Sequence, residues 1–163
     1  MAIKAVVFDW GDTIMRELPF EGAMKNWPFV SLVPEADRIL RILKEKYLVI
    51  MASNAGDSST EDIIEALKRV GVDSYFHQVF SSKDIGYEKP HPQFFHYIQE
   101  ELKLEEYELV MIGNSCEKDI RGAKSVNWRT IWFNENNEYK RECEQADATV
   151  YHLSGLLEII ENI

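Results

Sequence analysis

Apolar and polar positions alternate along this chain in two distinct rhythms. Short, nearly continuous apolar runs recur at KAVVFD (4–9), YLVIMAS (47–53), HQVFSS (77–82), ELVMIG (108–113) and RTIWFN (129–134), with ATVYHL (148–153) as an edge candidate. Apolar runs without polar alternation predict strands of a parallel sheet that is covered on both faces. Between them the apolar period lengthens to that of a helix. PEADRILRILKEK (34–46) sets Ile39, Leu40, Ile42 and Leu43 on one stripe, with Pro34 suited to a first turn. STEDIIEALKRVG (59–71) opens on hydroxyl caps and an acidic first turn and stops at Gly71. HPQFFHYIQEEL (91–102), EKDIRGAKSV (117–126) and LSGLLEIIENI (153–163) complete the series. Strand followed by helix, over and over, predicts an α/β fold: a doubly wound three-layer sandwich around a mainly parallel sheet.

One stretch breaks the rhythm. RELPFEGAMKNWPFVSLVP (16–34) mixes aromatics, charges and three prolines directly after the first strand. It predicts an irregular insertion, and its place at the carboxyl end of a strand sets it over the expected ligand site. Nothing else in the chain reads as a linker or a repeat, so residues 1–163 form one predicted domain. A chain of 163 residues with 45% hydrophobic and 28% charged residues has room for one real core. The formal net charge of −10 argues against nucleic acid or an anionic membrane as partner. Two cysteines, Cys116 and Cys143, make neither a disulfide framework nor a metal-binding spacing. The amino terminus lacks a signal-peptide run and no window has transmembrane length, which predicts a soluble cytoplasmic protein.

The predicted strands end in polar groups. Asp9, Asp12 and Thr13 follow the first; Ser53 and Asn54 close the second; Asn114, Ser115 and Asp119 follow the fourth; and Lys89-Pro90 precedes a helix. On a parallel sheet these ends gather at one rim. Carboxylates, small hydrogen-bonding groups and a cation together are what metal-assisted phosphoryl transfer requires. The four histidines show no paired metal spacing. The aromatics Trp10, Phe20, Trp27 and Phe29 are candidates for a small lid, for core or for a dimer contact.

Four segments in order carry a resemblance to a known family. VVFDWGDT, VIMASN, YEKPHPQFF and VMIGNSCEKDIRGA resemble the nucleophile, phosphate-binding, lysine and acidic motifs of the haloacid dehalogenase (HAD) superfamily. The resemblance implies a Rossmann-like core and Mg²⁺-dependent phosphatase chemistry. Asp9 would be the nucleophile, with Lys89 as a catalytic cation balancing its charge and that of the phosphoryl group; Ser53, Asn54 and Lys89 would bind phosphate; Asp9, the carbonyl of Gly11, Asn114 and Asp119 would hold Mg²⁺. No segment is long enough for a cap domain, and in the family an open site goes with large phosphorylated substrates or with a cap lent by a homodimeric partner.

Two positions depart from the family pattern. The second Asp of its first motif, the general acid and base, is replaced here by Gly11, with Asp12 one residue further on as the candidate substitute. Asn114 stands where the acidic motif has a carboxylate, leaving one negative charge fewer for the cation. Three readings follow: a phosphomonoester hydrolase acting through Asp9, a catalytically impaired protein that binds a phosphorylated ligand or a protein partner, and a haloacid dehalogenase. The third is disfavoured, since that reaction needs an enclosed apolar pocket.

Overall fold

The computed structural model describes residues 2–163. β1 (Ala5–Phe8) leads into the irregular insertion, which holds only a short 3₁₀ turn at Met24–Asn26. Then come α1 (Ala36–Leu43), β2 (Leu48–Ser53), α2 (Thr60–Arg69), β3 (Gln78–Ser81), the single turn α3 (Ser82–Ile85) and α4 (Pro92–Leu102). β4 (Leu109–Gly113), α5 (Arg121–Lys124), β5 (Arg129–Phe133), β6 (Ala148–Val150) and α6 (Leu156–Asn162) follow. The strands form one sheet in the order β3-β2-β1-β4-β5-β6, and every pairing is parallel.

This is the predicted doubly wound, Rossmann-like sandwich. Each central strand feeds both faces because successive side chains point to opposite sides. Val6 and Phe8, with Val49, Met51, Val110 and Ile112, pack against α1, α2 and α6. Ala5 and Val7, with Ile50, Ala52, Leu109 and Met111, pack against Phe94, Phe95, Ile98 and Ala123 of α4 and α5. β1 is buried along its whole length, which is why its sequence shows no polar alternation.

Local chemistry sets the element ends. The Ser59 side chain accepts from the Asp62 N–H, and the Asp62 carboxylate accepts from the Ser59 N–H, a reciprocal capping box at the start of α2. The helix predicted at 117–126 is split: a π-helical turn spans Cys116–Ile120, and α5 is only its continuation. The insertion is tied down rather than loose. The Arg69 guanidinium on α2 donates to the carbonyls of Lys25 (3.1 Å) and Trp27 (2.8 Å), and Lys25 pairs with Asp62 at 2.6 Å.

The cysteines overturn the sequence expectation. Cys116 and Cys143 are joined in a disulfide across 27 residues of sequence. Proximity in the fold made the pair; their spacing along the chain carried no sign of it. Among the described residues no helix is long and apolar enough to cross a membrane.

Candidate active site

β1, β2 and β4 are neighbours at the centre of the sheet, so the loops leaving their carboxyl ends meet on one side. They surround a cleft of about 360 Å³. Its wall includes Asp9, Gly11, Ser53, Asn54, Lys89, Asn114 and Asp119, so seven of the eight predicted site residues come together.

Lys89 is the pivot of this rim. Its ammonium donates to Asp9 Oδ1 (2.8 Å), Asp119 Oδ1 (2.7 Å) and the Ala52 carbonyl (2.8 Å). Its side chain is 1% exposed. Burial by itself pulls the Lys89 pKa down, but the two carboxylates outweigh it and hold it above the ordinary lysine value. Asp119, equally buried, is pushed up to about 6 by desolvation and by the charge of Asp9, with Lys89 and the Ser115 N–H opposing. The two directions agree physically: one cation shared by two carboxylates leaves an excess negative charge.

Neighbouring groups position this triad. The Asn54 side chain closes a two-way pair with the Lys89 backbone, its Nδ2 donating to the Lys89 carbonyl and its Oδ1 accepting from the Lys89 N–H, both at 2.8 Å. Its side chain therefore sets the lysine loop and leaves any phosphate contact to its backbone. Asp119 Oδ2 accepts from the Ser115 N–H at 3.0 Å. Glycines permit the close approaches: a Cβ on Gly113 would overlap the Asp119 carboxylate, and one on Gly122 would meet the Phe95 ring and the Cα of Pro90.

The Mg²⁺ donor set is reduced by this geometry. Asp119 is the less open carboxylate, its side chain 1% exposed against 15% for Asp9. Asp9 Oδ2 and Asn114 Oδ1, by contrast, lie 3.3 and 3.5 Å from the same Thr13 hydroxyl, so two oxygen donors converge beside the Gly11 backbone. Among the described residues no cluster of three His, Cys, Asp or Glu side chains could hold a metal. What remains is a sparse set of hard oxygens, which suits a cation that keeps several of its waters, as Mg²⁺ does.

Asp12 is the residue that does not join the wall. It occupies the left-handed region at φ 58°, and its Oδ1 accepts from the Glu17 N–H at 3.1 Å. Asp12 therefore shapes a turn, while Gly11 beside it keeps a negative φ. Of the proposed lid, Trp10 and Trp27 line the cleft, with Met24. Phe20 packs edge-on against Trp27 and Phe29 further out. Sequence reasoning missed three charged side chains on the wall: Glu17, Asp57 and Lys118. Nothing in their local sequence marks them, because they arrive from loops whose paths only the fold defines.

The chain is similar to known proteins in both sequence and fold. The sequence is 31% identical over 155 residues to the glyceraldehyde 3-phosphate phosphatase of Pyrococcus furiosus, covering 91% of this chain and 56% of that protein. It is 29% identical over 140 residues to the protein of the same name from Methanocaldococcus jannaschii, covering 85% and 61%. The chain thus spans little more than half the length of these relatives. A solved HAD phosphatase from Thermococcus onnurineus superposes with a TM-score of 0.83 at 23% identity, covering 97% of this chain and 98% of that one, which shows a common fold. The sequence pattern of haloacid dehalogenase-like hydrolases matches residues 27–127, which carry the Ser53, Lys89 and Asp119 loops. With β1 hydrogen-bonded between β2 and β4, Asp9 completes that set, and the chain belongs to the haloacid dehalogenase-like hydrolase family.

Proposed function

We propose that this chain hydrolyses a small phosphomonoester with Asp9 as nucleophile. The observation that carries this reading is the buried Lys89 ammonium at 2.8 Å from Asp9, at the floor of an open polar cleft. That contact pairs the attacking carboxylate with a positive charge and orients it for attack on phosphorus. Lys89 also supplies the positive charge that a phosphoryl group needs on arrival. Ser53 and the Asn54 backbone lie on the same wall to donate to phosphate oxygens. Thr13 holds the other oxygen of Asp9 at 3.3 Å, fixing the attacking carboxylate. Asp9, Asn114 and the Gly11 carbonyl would hold Mg²⁺, whose contribution when bound is to neutralise charge on the phosphoryl oxygens.

The substrate class follows from volume and kinship. A cleft of about 360 Å³ lies at the small end of ligand sites. Gly22, Met24 and Trp27 of the insertion form part of its wall, and the relatives are named for glyceraldehyde 3-phosphate, a small phosphorylated compound. A small phosphorylated metabolite therefore fits better than the large substrate expected for an uncapped site. The rival reading, a protein that binds without turnover, draws on Gly11, which brings no acid to the cleft.

The test is a phosphatase panel run with and without Mg²⁺ on the chain and on Asp9→Asn. Turnover that needs both Asp9 and Mg²⁺ is expected. Turnover undiminished in Asp9→Asn, or none on any substrate, would remove the hydrolase reading.

A further inference from the structure

Hydrolysis of a phosphomonoester through a carboxylate needs one more group. Something must give a proton to the leaving oxygen and later take one from water. Position 11 has no side chain, and Asp12 turns to the Glu17 backbone. The ionisable side chains on the cleft wall are Asp9, Glu17, Asp57, Lys89, Lys118 and Asp119. Asp9 and Asp119 are both committed to Lys89. Of the two carboxylates left, Glu17 is singled out by where it lies. Its Oε2 stands 3.2 Å from the point a Cβ of residue 11 would occupy, with its Cδ at 3.5 Å and its Cβ at 3.6 Å. The carboxyl of Glu17 thus sits alongside the empty flank of Gly11, two residues beyond the nucleophile.

The chain is built to hold it there. The N–H groups of Ile14 and Met15 both donate to the Trp10 carbonyl, closing a tight turn. The Asp12 N–H donates to the Met15 carbonyl at 2.6 Å, and Asp12 Oδ1 accepts from the Glu17 N–H. Arg16, the preceding residue, donates its N–H to the Ser31 carbonyl and its guanidinium to Glu135. Glu17 is therefore fixed at its backbone while its side chain stays open to the cleft.

We propose that Glu17 is the catalytic acid and base of this site, supplied by the insertion in place of a side chain at position 11. The inference rests on the hydrolase reading and adds to it. In the first step an Asp9 oxygen bonds to phosphorus and the bond from phosphorus to the ester oxygen breaks. That oxygen keeps the electron pair, takes the proton from the Glu17 carboxyl and leaves as the alcohol. In the second step a water oxygen bonds to phosphorus while Glu17 takes the water proton. The bond to Asp9 breaks, its electron pair returns to the carboxylate, and inorganic phosphate departs. Gly11 has a positive role here, since a larger residue would occupy the space that Glu17 uses.

The experiment compares the unaltered chain with Glu17→Gln, Glu17→Ala and Asp57→Asn on two substrates with Mg²⁺. One is an alkyl phosphate, whose leaving oxygen needs the proton; the other is 4-nitrophenyl phosphate, whose leaving oxygen does not. Glu17→Gln is expected to lose about 10²-fold or more on the alkyl ester. It should form the phosphoprotein from the aryl ester but release it slowly, so that covalently phosphorylated chain accumulates in the mass spectrum. Formate should restore part of the turnover of Glu17→Ala, and Asp57→Asn should keep the unaltered ratio between the two substrates. Glu17 is exposed, so the variants are expected to melt with the parent, and that melt is the control for folding. Equal losses on both esters without phosphoprotein would overturn the role of Glu17 while leaving Asp9 intact. So would unaltered turnover in Glu17→Gln, or the same pattern appearing in Asp57→Asn instead. Absence of any Asp9-dependent turnover in the parent would overturn the hydrolase reading and this inference together.

Discussion

Lys89 comes from a loop, yet its ammonium makes three hydrogen bonds and its side chain is almost wholly buried. Removing it would leave two carboxylates facing each other without a counter-charge. Lys89→Met should therefore cost about 3–5 kcal/mol in urea unfolding, the usual penalty for breaking a buried pair from one side. Gly11 has the opposite character: it matters for what it lacks. Gly11→Asp would set a second carboxylate against Glu17 Oε2 at a separation of 3.2 Å from its Cβ. We expect that substitution alone to leave turnover unimproved, and the double variant Gly11→Asp, Glu17→Gln to outperform Glu17→Gln alone on an alkyl phosphate. Steady-state rates for the three variants decide it. The sequence made Gly11 conspicuous, but the reply to it lay six residues on, in a stretch with no motif. Glu17 could not be read in advance because its position depends on a turn fixed by Asp12, Met15 and Trp10.

Among the elements, β1 and β4 were legible because a doubly covered strand must be apolar throughout. The α2 start was legible because Ser59 and Asp62 sit at capping spacing. The Asp62 carboxyl is held well below the usual range, at about 2, first by Lys25 and then by the Ser59 N–H. A depressed carboxyl contributes stability above its unfolded pKa of 3.8 and loses it as pH falls through about 2. Asp62→Asn should accordingly be less stable than the parent at neutral pH, with the gap closing between about pH 4 and pH 2 in acid melts. Less legible was the segment after β4, where a π-helical turn replaces the expected first helical turn. That distortion lets Asp119 fold back beneath Gly113, a contact no helical period announces. Gly113→Ala should push Asp119 off Lys89, so we expect a clear loss of stability, read as a lower Tm, together with loss of turnover.

At the scale of the whole molecule, the parallel doubly wound sheet and the gathering of strand ends at one rim followed from the strand–helix rhythm, whereas the strand order did not. Nor did the covalent tie between Cys116 and Cys143, since sequence spacing says little about which loops become neighbours. That tie closes a ring around α5 and β5, while β6 and α6 lie outside it. By loop entropy alone such a ring is worth about 3.5 kcal/mol, so dithiothreitol or Cys143→Ser should lower the urea midpoint by a corresponding amount. The ring also divides the carboxyl-terminal third into two grades of permanence. With the bond intact, β6 and α6 can peel from the sheet edge while β5 stays enclosed, so their amides should exchange with deuterium well before those of Arg129–Phe133. Once the bond is reduced nothing covalent separates the two, and the exchange rates of β5 should move toward those of its outer neighbour.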